Sequence, residues 1–229
     1  MTSEIQSRVS SIEESLRKNS FKSNELLNLL RDCIAQIVDK KYLHQLLDIA
    51  HLSNVSKYIN KNKQTDIWFN YLVEIIKLSR FNVGYLLKQR SEKYKDKVAF
   101  HIIKKGEVYN VSYDSLWKKV IEVGKGLSLF SNQSKKPTIG LLTHNQFNGV
   151  LVDLACLSFG FKVVPIPLNS TPEHVSYIIN HSEISHLFIC GKIGKKIWGE
   201  VKNSHDIIAI DMSEINTASN YALNWNSFI

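Results

Sequence analysis

The chain has 229 residues, a formal charge of +8 and 44% hydrophobic residues, enough to bury a sizeable core as one large domain or two small ones. The basic excess lies mostly in residues 80–229, spread as lysine pairs such as Lys104-Lys105, Lys118-Lys119, Lys135-Lys136 and Lys195-Lys196. Arginine is not clustered on one element and aromatics are not interleaved, so a nucleic-acid reader is not expected and a solvated basic surface is. Cys33, Cys156 and Cys190 have no C-x-x-C spacing, and two of them lie in apolar patterns, which fits buried thiols in a reduced compartment. The polar start Met1-Thr2-Ser3-Glu4 has no basic region leading into an apolar run, and the stretch Val150–Leu168 is broken by Asp153, Lys162, Pro165 and Pro167. A cytoplasmic protein is expected.

Residues 1–79 read as an α-helical region. Ile5, Val9, Ile12 and Leu16 form a narrow stripe, and Ser3 with Gln6 has the form of a capping box. A stronger helix follows Ser23 and carries Leu26, Leu27, Leu30, Ile34, Ile37 and Val38. A short one carries Leu43, Leu46, Leu47 and Ala50. Asn60-Lys61-Asn62-Lys63 reads as a polar turn, and Thr65 as the cap of a helix with Trp68, Phe69, Leu72, Val73, Ile75 and Ile76. His44, Asp48 and His51 fall on one helical face. A metal site there is conceivable, but no further ligand is suggested, and a polar helix face with a His–Asp pair is the expectation. Peripheral membrane docking is possible in principle for this region, although its near charge balance favours helices packed on each other.

From residue 80 onward the pattern changes to α/β. A helix over Phe81–Tyr94 is expected, with Asn82 as its cap and Leu86 and Leu87 on its buried side. Val98–Ile102 and Val108–Val111 flank the turn Lys104-Lys105-Gly106-Glu107 and predict a hairpin. Ser112 then starts a helix with the stripe Leu116, Val120, Val123 and Leu127. Thr138–Leu142, Lys162–Ile166, His186–Cys190 and Ile207–Ile210 read as strands. Val163-Val164 and Leu187-Phe188-Ile189 are apolar runs of the kind buried on both faces. Between the first two strands Asn145 is placed to cap a helix over Gln146–Phe159, with Phe147, Val150, Leu151, Leu154, Ala155 and Ser158 as its stripe and Gly160 as its stop. Thr171-Pro172-Glu173 opens the next helix, and Ile193, Ile197, Trp198 and Val201 mark one more. This βαβαβ alternation with short connections predicts a parallel sheet with crossover helices. The tail from Asn216 to Ile229 has no clear period.

Two local patterns invite a binding role. Gly191-Lys192-Ile193-Gly194-Lys195-Lys196 follows a strand and opens a helix, yet it has two residues between its glycines where a phosphate loop has four. It also has Lys196 where a hydroxyl should reach magnesium, so a flexible strand-to-helix turn is the expectation. His144 lies at the carboxyl end of a strand, where open α/β sheets place ligands, although a loop histidine is the plainer reading.

The ordered set Ile139–Leu142, Asn145, Gly160, Val163–Asn169 and Thr171–Glu173 resembles the N-terminal part of the AMP-forming acyl-CoA synthetases, within the adenylate-forming superfamily. Val111–Leu116 resembles the family's Thr-Tyr-x-Glu-Leu helix start, with Ser112 for the threonine and Ser115 for the glutamate. The resemblance runs from about Phe81 to about Asp211, so residues 80–229 are identified as an AMP-binding portion and residues 1–79 as a helical region outside it. It implies a ligase that joins a fatty acid to CoA at the expense of ATP. ATP, magnesium and CoA are implied for the complete enzyme and none of them for this stretch.

The family's Ser/Thr/Gly-rich loop ending in Pro-Lys-Gly does not occur in the sequence, and neither do its later catalytic segments. No catalytic, cofactor-binding or metal-binding residue is therefore assigned. The resemblance implies that these parts lie beyond Ile229, and hence that the chain is a truncated or split piece, inactive alone, that self-associates or pairs with the missing segment. Two other readings stay open: a non-catalytic interaction module on the same scaffold, and the first part of an adenylation or fatty acyl-AMP ligase unit that feeds a carrier protein.

Overall fold

The structure is a computed structural model and describes residues 2–36, 38–131, 136–213 and 223–229, without the side chains of Thr2, Ser3 and Ser53. The side chain of Ser3, Ile37, Lys135 and residues 214–222 of the tail lie outside the described residues. The chain divides into two compact units, Met1–Phe81 and Asn82–Ile229.

The first unit packs helices α1 (Thr2–Arg17), α2 (Ser23–Ala35), α3 (Lys40–Ala50), α4 (Ser53–Lys61) and α5 (Thr65–Ser79) around one core. Leu26, Leu29, Leu30, Cys33, Leu46, Ile59 and Ile75 are fully enclosed there, and the stripe Ile5, Val9, Ile12 and Leu16 is buried. With no glycine or proline in its turns, the unit reverses direction on polar residues. Asn19 and Lys63 take left-handed backbone angles. Asn62 Nδ2 donates to Ser23 Oγ at 2.7 Å, and Ser23 Oγ donates to Gln64 Oε1 at 2.6 Å, so the α4–α5 turn is tied to the start of α2.

Within the region read as helical, the structure adds α4, built on Val55 and Ile59, both fully buried; two expectations are corrected. Thr65 is the first residue of α5 and not its cap; Gln64 holds the cap position, and the Thr65 hydroxyl donates to Asn60 Oδ1 at 2.8 Å. Phe69 is 60% exposed, because the helix turns Leu72, Ile75 and Ser79 inward instead.

The second unit opens with α6 (Val83–Lys93), capped by Asn82, whose side chain accepts from the Tyr85 amide. β1 (Val98–Lys104) and β2 (Glu107–Ser112) form an antiparallel hairpin, and Lys105 and Gly106 both take positive φ at its turn, as a two-residue primed turn requires. α7 (Tyr113–Leu129) starts on the Ser112 cap and buries Leu116, Val120, Val123 and Leu127.

A parallel sheet follows. It is built from β3 (Thr138–Leu142), β4 (Lys162–Pro165), β5 (Ile184–Ile189), β6 (Ile208–Asp211) and β7 (Leu223–Asn224) in the order β4-β3-β5-β6-β7. The crossovers are α8 (Phe147–Phe159), α9 (Pro172–His181) and α10 (Gly191–Val201), and α11 (Trp225–Phe228) closes the unit. Side chains alternate across the sheet. Ile139, Leu141, Phe188 and Ile210 join the α7, α8 and α11 side, while Leu142, Leu187, Ile189 and Ala209 join the α9 and α10 side. The result is an α/β/α sandwich.

The start and stop signals act as their chemistry dictates at Gly160, which caps α8 with φ +72°, and at Thr171, whose hydroxyl accepts from the His174 amide ahead of Pro172. Elsewhere the packing chose differently. Asn145 does not cap α8; the helix begins one residue later, at a Gln146 cap that makes no side-chain capping bond. α8 buries Val152 and Cys156 fully and leaves Leu154 and Ser158 half-buried. Leu86 is 38% exposed, since Gly84 is the point where α6 meets Ser158. Val163 and Val164 are only half-buried, because β4 is an edge strand with one open side. Ile193 is 57% exposed on the outer face of α10, which packs through Gly194, Ile197, Trp198 and Val201.

His186 sits buried early in β5, stacked on Phe130 at 4.2 Å between ring centres, with Nδ1 2.9 Å from the Ser185 hydroxyl. Burial lowers its pKa below the ordinary 6.5. The unfolded chain therefore takes up this proton first. The stability tied to neutral His186 is present above the unfolded value and is lost as pH falls through the lower folded value. His186→Phe should flatten the stability-against-pH curve below about pH 6.5. Urea midpoints measured across that range check it, and an unchanged slope would remove His186 as the cause.

Candidate functional site

The strand order creates one place where consecutive connections diverge. The chain leaves β3 through α8 toward β4 on one side, and leaves β5 through α10 toward β6 on the other. A crevice is left outside the carboxyl ends of β3 and β5, the place where open parallel sheets bind ligands. It is occupied here by a cleft of about 900 Å³. Phe100 and Ile102 of β1 form one wall. The β3–α8 connection supplies His144, Asn145 and Gln146, with Phe147 and Val150 from α8 itself. Cys190, Gly191, Lys192 and Lys195 form the far wall.

Two glycines let α10 approach. Gly191 takes φ +80°, and a Cβ there would lie 2.9 Å from His144 Nδ1. A Cβ on Gly194 would lie 2.8 Å from the Leu142 carbonyl oxygen. The Gly191–Lys196 stretch is thus a strand-to-helix turn whose glycines serve close packing. The same packing brings His144, which sequence spacing singled out, against the start of α10.

Polar side chains hold the rim. Lys195 Nζ donates to Asp211 Oδ2 at 2.6 Å, while the Ser213 amide and hydroxyl donate to Asp211 Oδ1 at 2.9 and 2.6 Å. Burial alone would push the Asp211 carboxyl up; the bonds from Lys195 and Ser213 outweigh it and hold the pKa below 3.8. Asn148 Nδ2 donates to the Met212 carbonyl at 3.2 Å, which ties α8 to the exit of β6. Burial raises the Cys190 thiol, so it is not poised as a thiolate. Lys192 is exposed and has no ion-pair partner among the described residues. The arrangement is one for binding: an apolar wall, the lysines Lys104 and Lys192 beside the paired Lys195, and a fixed polar rim. Spacing alone did not reveal the Asp211–Lys195 pair, whose members meet only once β6 lies beside β5.

The other candidate cluster forms no metal site among the described residues. His44 and Asp48 are on α3 and His51 caps its end, with His51 Nδ1 2.6 Å from the Leu47 carbonyl oxygen; the His44 ring stands edge-on to Phe81 at 5.6 Å. Among the described residues no group of three or more His, Cys, Asp or Glu could hold a metal ion. Among the described residues magnesium thus finds no donor set, and Asp211 at the cleft rim is committed to Lys195. Among the described residues no helix is long and apolar enough to cross a membrane.

A parallel sheet with crossover helices and a cleft at the strand-order reversal is the arrangement of ligand-binding α/β scaffolds. Residues 87–225 match the family model of the AMP-binding enzymes, and the chain belongs to that family. No curated protein sequence matches it. Among solved structures, coronafacic acid ligase from Pectobacterium brasiliense is similar at 20% identity, over 65% of this chain and 29% of that one, with a TM-score of 0.54. An anthranilate CoA ligase in complex with anthranoyl-AMP is similar at 14% identity, over 65% and 27% of the two chains, with a TM-score of 0.53. A Rhodopseudomonas palustris CGA009 protein, provisionally assigned as a long-chain-fatty-acid CoA ligase, is similar at 12% identity, over 62% and 35%, with a TM-score of 0.54. At these identities the likeness is one of fold, and it is to the N-terminal portion of adenylate-forming enzymes. The chain spans 27–35% of the length of these proteins.

Proposed function

We propose that the chain supplies the N-terminal part of an AMP-forming ligase that joins a fatty acid to CoA. In the complete enzyme the carboxylate attacks the α-phosphorus of ATP and pyrophosphate leaves. The CoA thiol then attacks the acyl carbonyl of the adenylate and AMP leaves. The observation that carries the reading is the family match across the unit whose strand-order reversal holds the cleft. The chain's share of the work is to hold one wall of the substrate site. Phosphate handling falls to the Ser/Thr/Gly-rich loop, which this sequence does not contain. The same reading carries a cytoplasmic setting and pairing with a segment that bears the loop.

The test is carboxylate-dependent exchange of pyrophosphate into ATP. The purified chain should give none with fatty acids, and addition of a loop-bearing segment should restore it. Robust exchange by the chain alone would sink the division of labour. Absence of exchange with the loop-bearing segment present would sink the ligase reading itself.

A further inference from the structure

We propose that α5 pairs antiparallel with α5 of a second copy of this chain, through Phe69, Val73 and Ile76, with Asp66 of each copy against Arg80 of the other. The pairing lies outside the ligase reading and does not depend on it. Among the described residues, the exposed large hydrophobics of the first unit are Ile67, Phe69, Ile76 and Leu78, and all four belong to α5. The bundle core takes Leu72, Ile75 and Ser79 from this helix. Phe69 is left 60% and Ile76 36% exposed, with Val73 half-buried between them. Asp66, Phe69, Val73, Ile76 and the C-cap Arg80 follow one another in alternating steps of three and four residues, the spacing of a seam between two helices.

Charge selects the occupant. Lys77 is held by Glu74 at 2.7 Å, whereas Asp66 and Arg80 have no ion-pair partner among the described residues. An acid at the start and a base at the end suit the dipole of each helix by itself. In an antiparallel pair that crosses near Val73, the same two charges meet their opposites, once at each end. A parallel pair would set Asp66 on Asp66 and Arg80 on Arg80, which disfavours it. An anionic membrane is a poorer match, because Asp66 lies on the stripe where a membrane-surface helix carries cations. α5 has 15 residues and is about 22 Å long. A single helix pair of that length is smaller than a standard interface of about 1,600 Å². The dimer is therefore weak and forms with rising concentration.

Sedimentation equilibrium of the 229-residue chain, from about 1 μM to about 1 mM, tests the pairing. The parent should pass from monomer to dimer within that range. Phe69→Glu should abolish the dimer. Leu78→Glu, on the same helix but off the seam, should leave it unchanged. Asp66→Arg and Arg80→Asp should each weaken dimerisation about tenfold, through two lost pairs and two like-charge contacts. The double variant Asp66→Arg/Arg80→Asp should recover it, because the opposite charges face each other again. Asp66 and Arg80 are exposed, so their variants carry the test if Phe69→Glu fails to fold. A monomer throughout the range, a dimer that survives Phe69→Glu, an equal loss from Leu78→Glu, or no recovery in the double variant would each overturn the proposal. Flotation of a monomeric parent on anionic vesicles, abolished by Phe69→Glu, would overturn it in favour of a membrane.

Discussion

Lys195→Met should destabilise the second unit by about 3–5 kcal/mol, the cost of stranding a buried charge whose partner is removed. Asp211 is 3% exposed, and its two oxygens are held by Lys195 Nζ and by the Ser213 amide and hydroxyl. In the parent the carboxyl is held below its ordinary 3.8. A lowered folded pKa means stability that is present above the unfolded value and is lost as pH falls through the folded one. The parent should therefore weaken in strong acid. Lys195→Met removes the first of the bonds that oppose burial, so the carboxyl moves up and the variant's loss of stability in acid should shrink. Adding Asp211→Asn should recover most of the loss, since removal of both charges leaves no buried ion. Urea unfolding near neutral pH and near pH 4 measures all three proteins. A Lys195→Met chain as stable as the parent would show that the pair contributes nothing.

Phe188→Ala should cost a similar amount, about 3–5 kcal/mol, through lost burial and the cavity left behind. The side chain is fully enclosed near the carboxyl end of β5. It stands edge-on to Phe228 at 5.0 Å and sits in the same core as Leu141 and Ile210. The loss should extend to α11, whose Phe228 backs against Gly126 of α7, where a Cβ would lie 2.8 Å from the Phe228 carbonyl oxygen. Hydrogen exchange resolves the effect by region. Amides of β3, β5 and β6 should lose protection while those of α2 and α3 keep theirs. Loss confined to β5 would mean that the sheet does not unfold as a unit.

Much of this fold could be read from local chemistry. Gly160, Thr171-Pro172, Ser112 and the Lys105-Gly106 turn act through their own backbone preferences, which need no neighbours, and the sheet's alternation with helices followed from them. What escaped depends on partners distant in sequence. Val163-Val164 has the composition of a central strand, but its place at the edge is set by strand order. α8 is apolar on nearly every side, so periodicity could not tell Val152 from Leu154; the sheet decides. α4 was different, because Val55 and Ile59 at i and i+4 were a usable signal obscured by the polar residues around them. At the cleft, His144 was legible as a loop residue after a strand. The need for Gly194 was not, because it arises from the Leu142 carbonyl on another element.

The edge position of β4 has a consequence for how copies of this chain meet. An open strand normally offers its unpaired amides and carbonyls as a template for another chain. Here that margin is four residues long, opens with the charged Lys162 and closes with Pro165, which has no amide hydrogen to give. A sheet margin so short and so interrupted resists growth by strand addition. Concentrated solutions of the chain should therefore not seed fibrils along this side, whatever contacts its helices make.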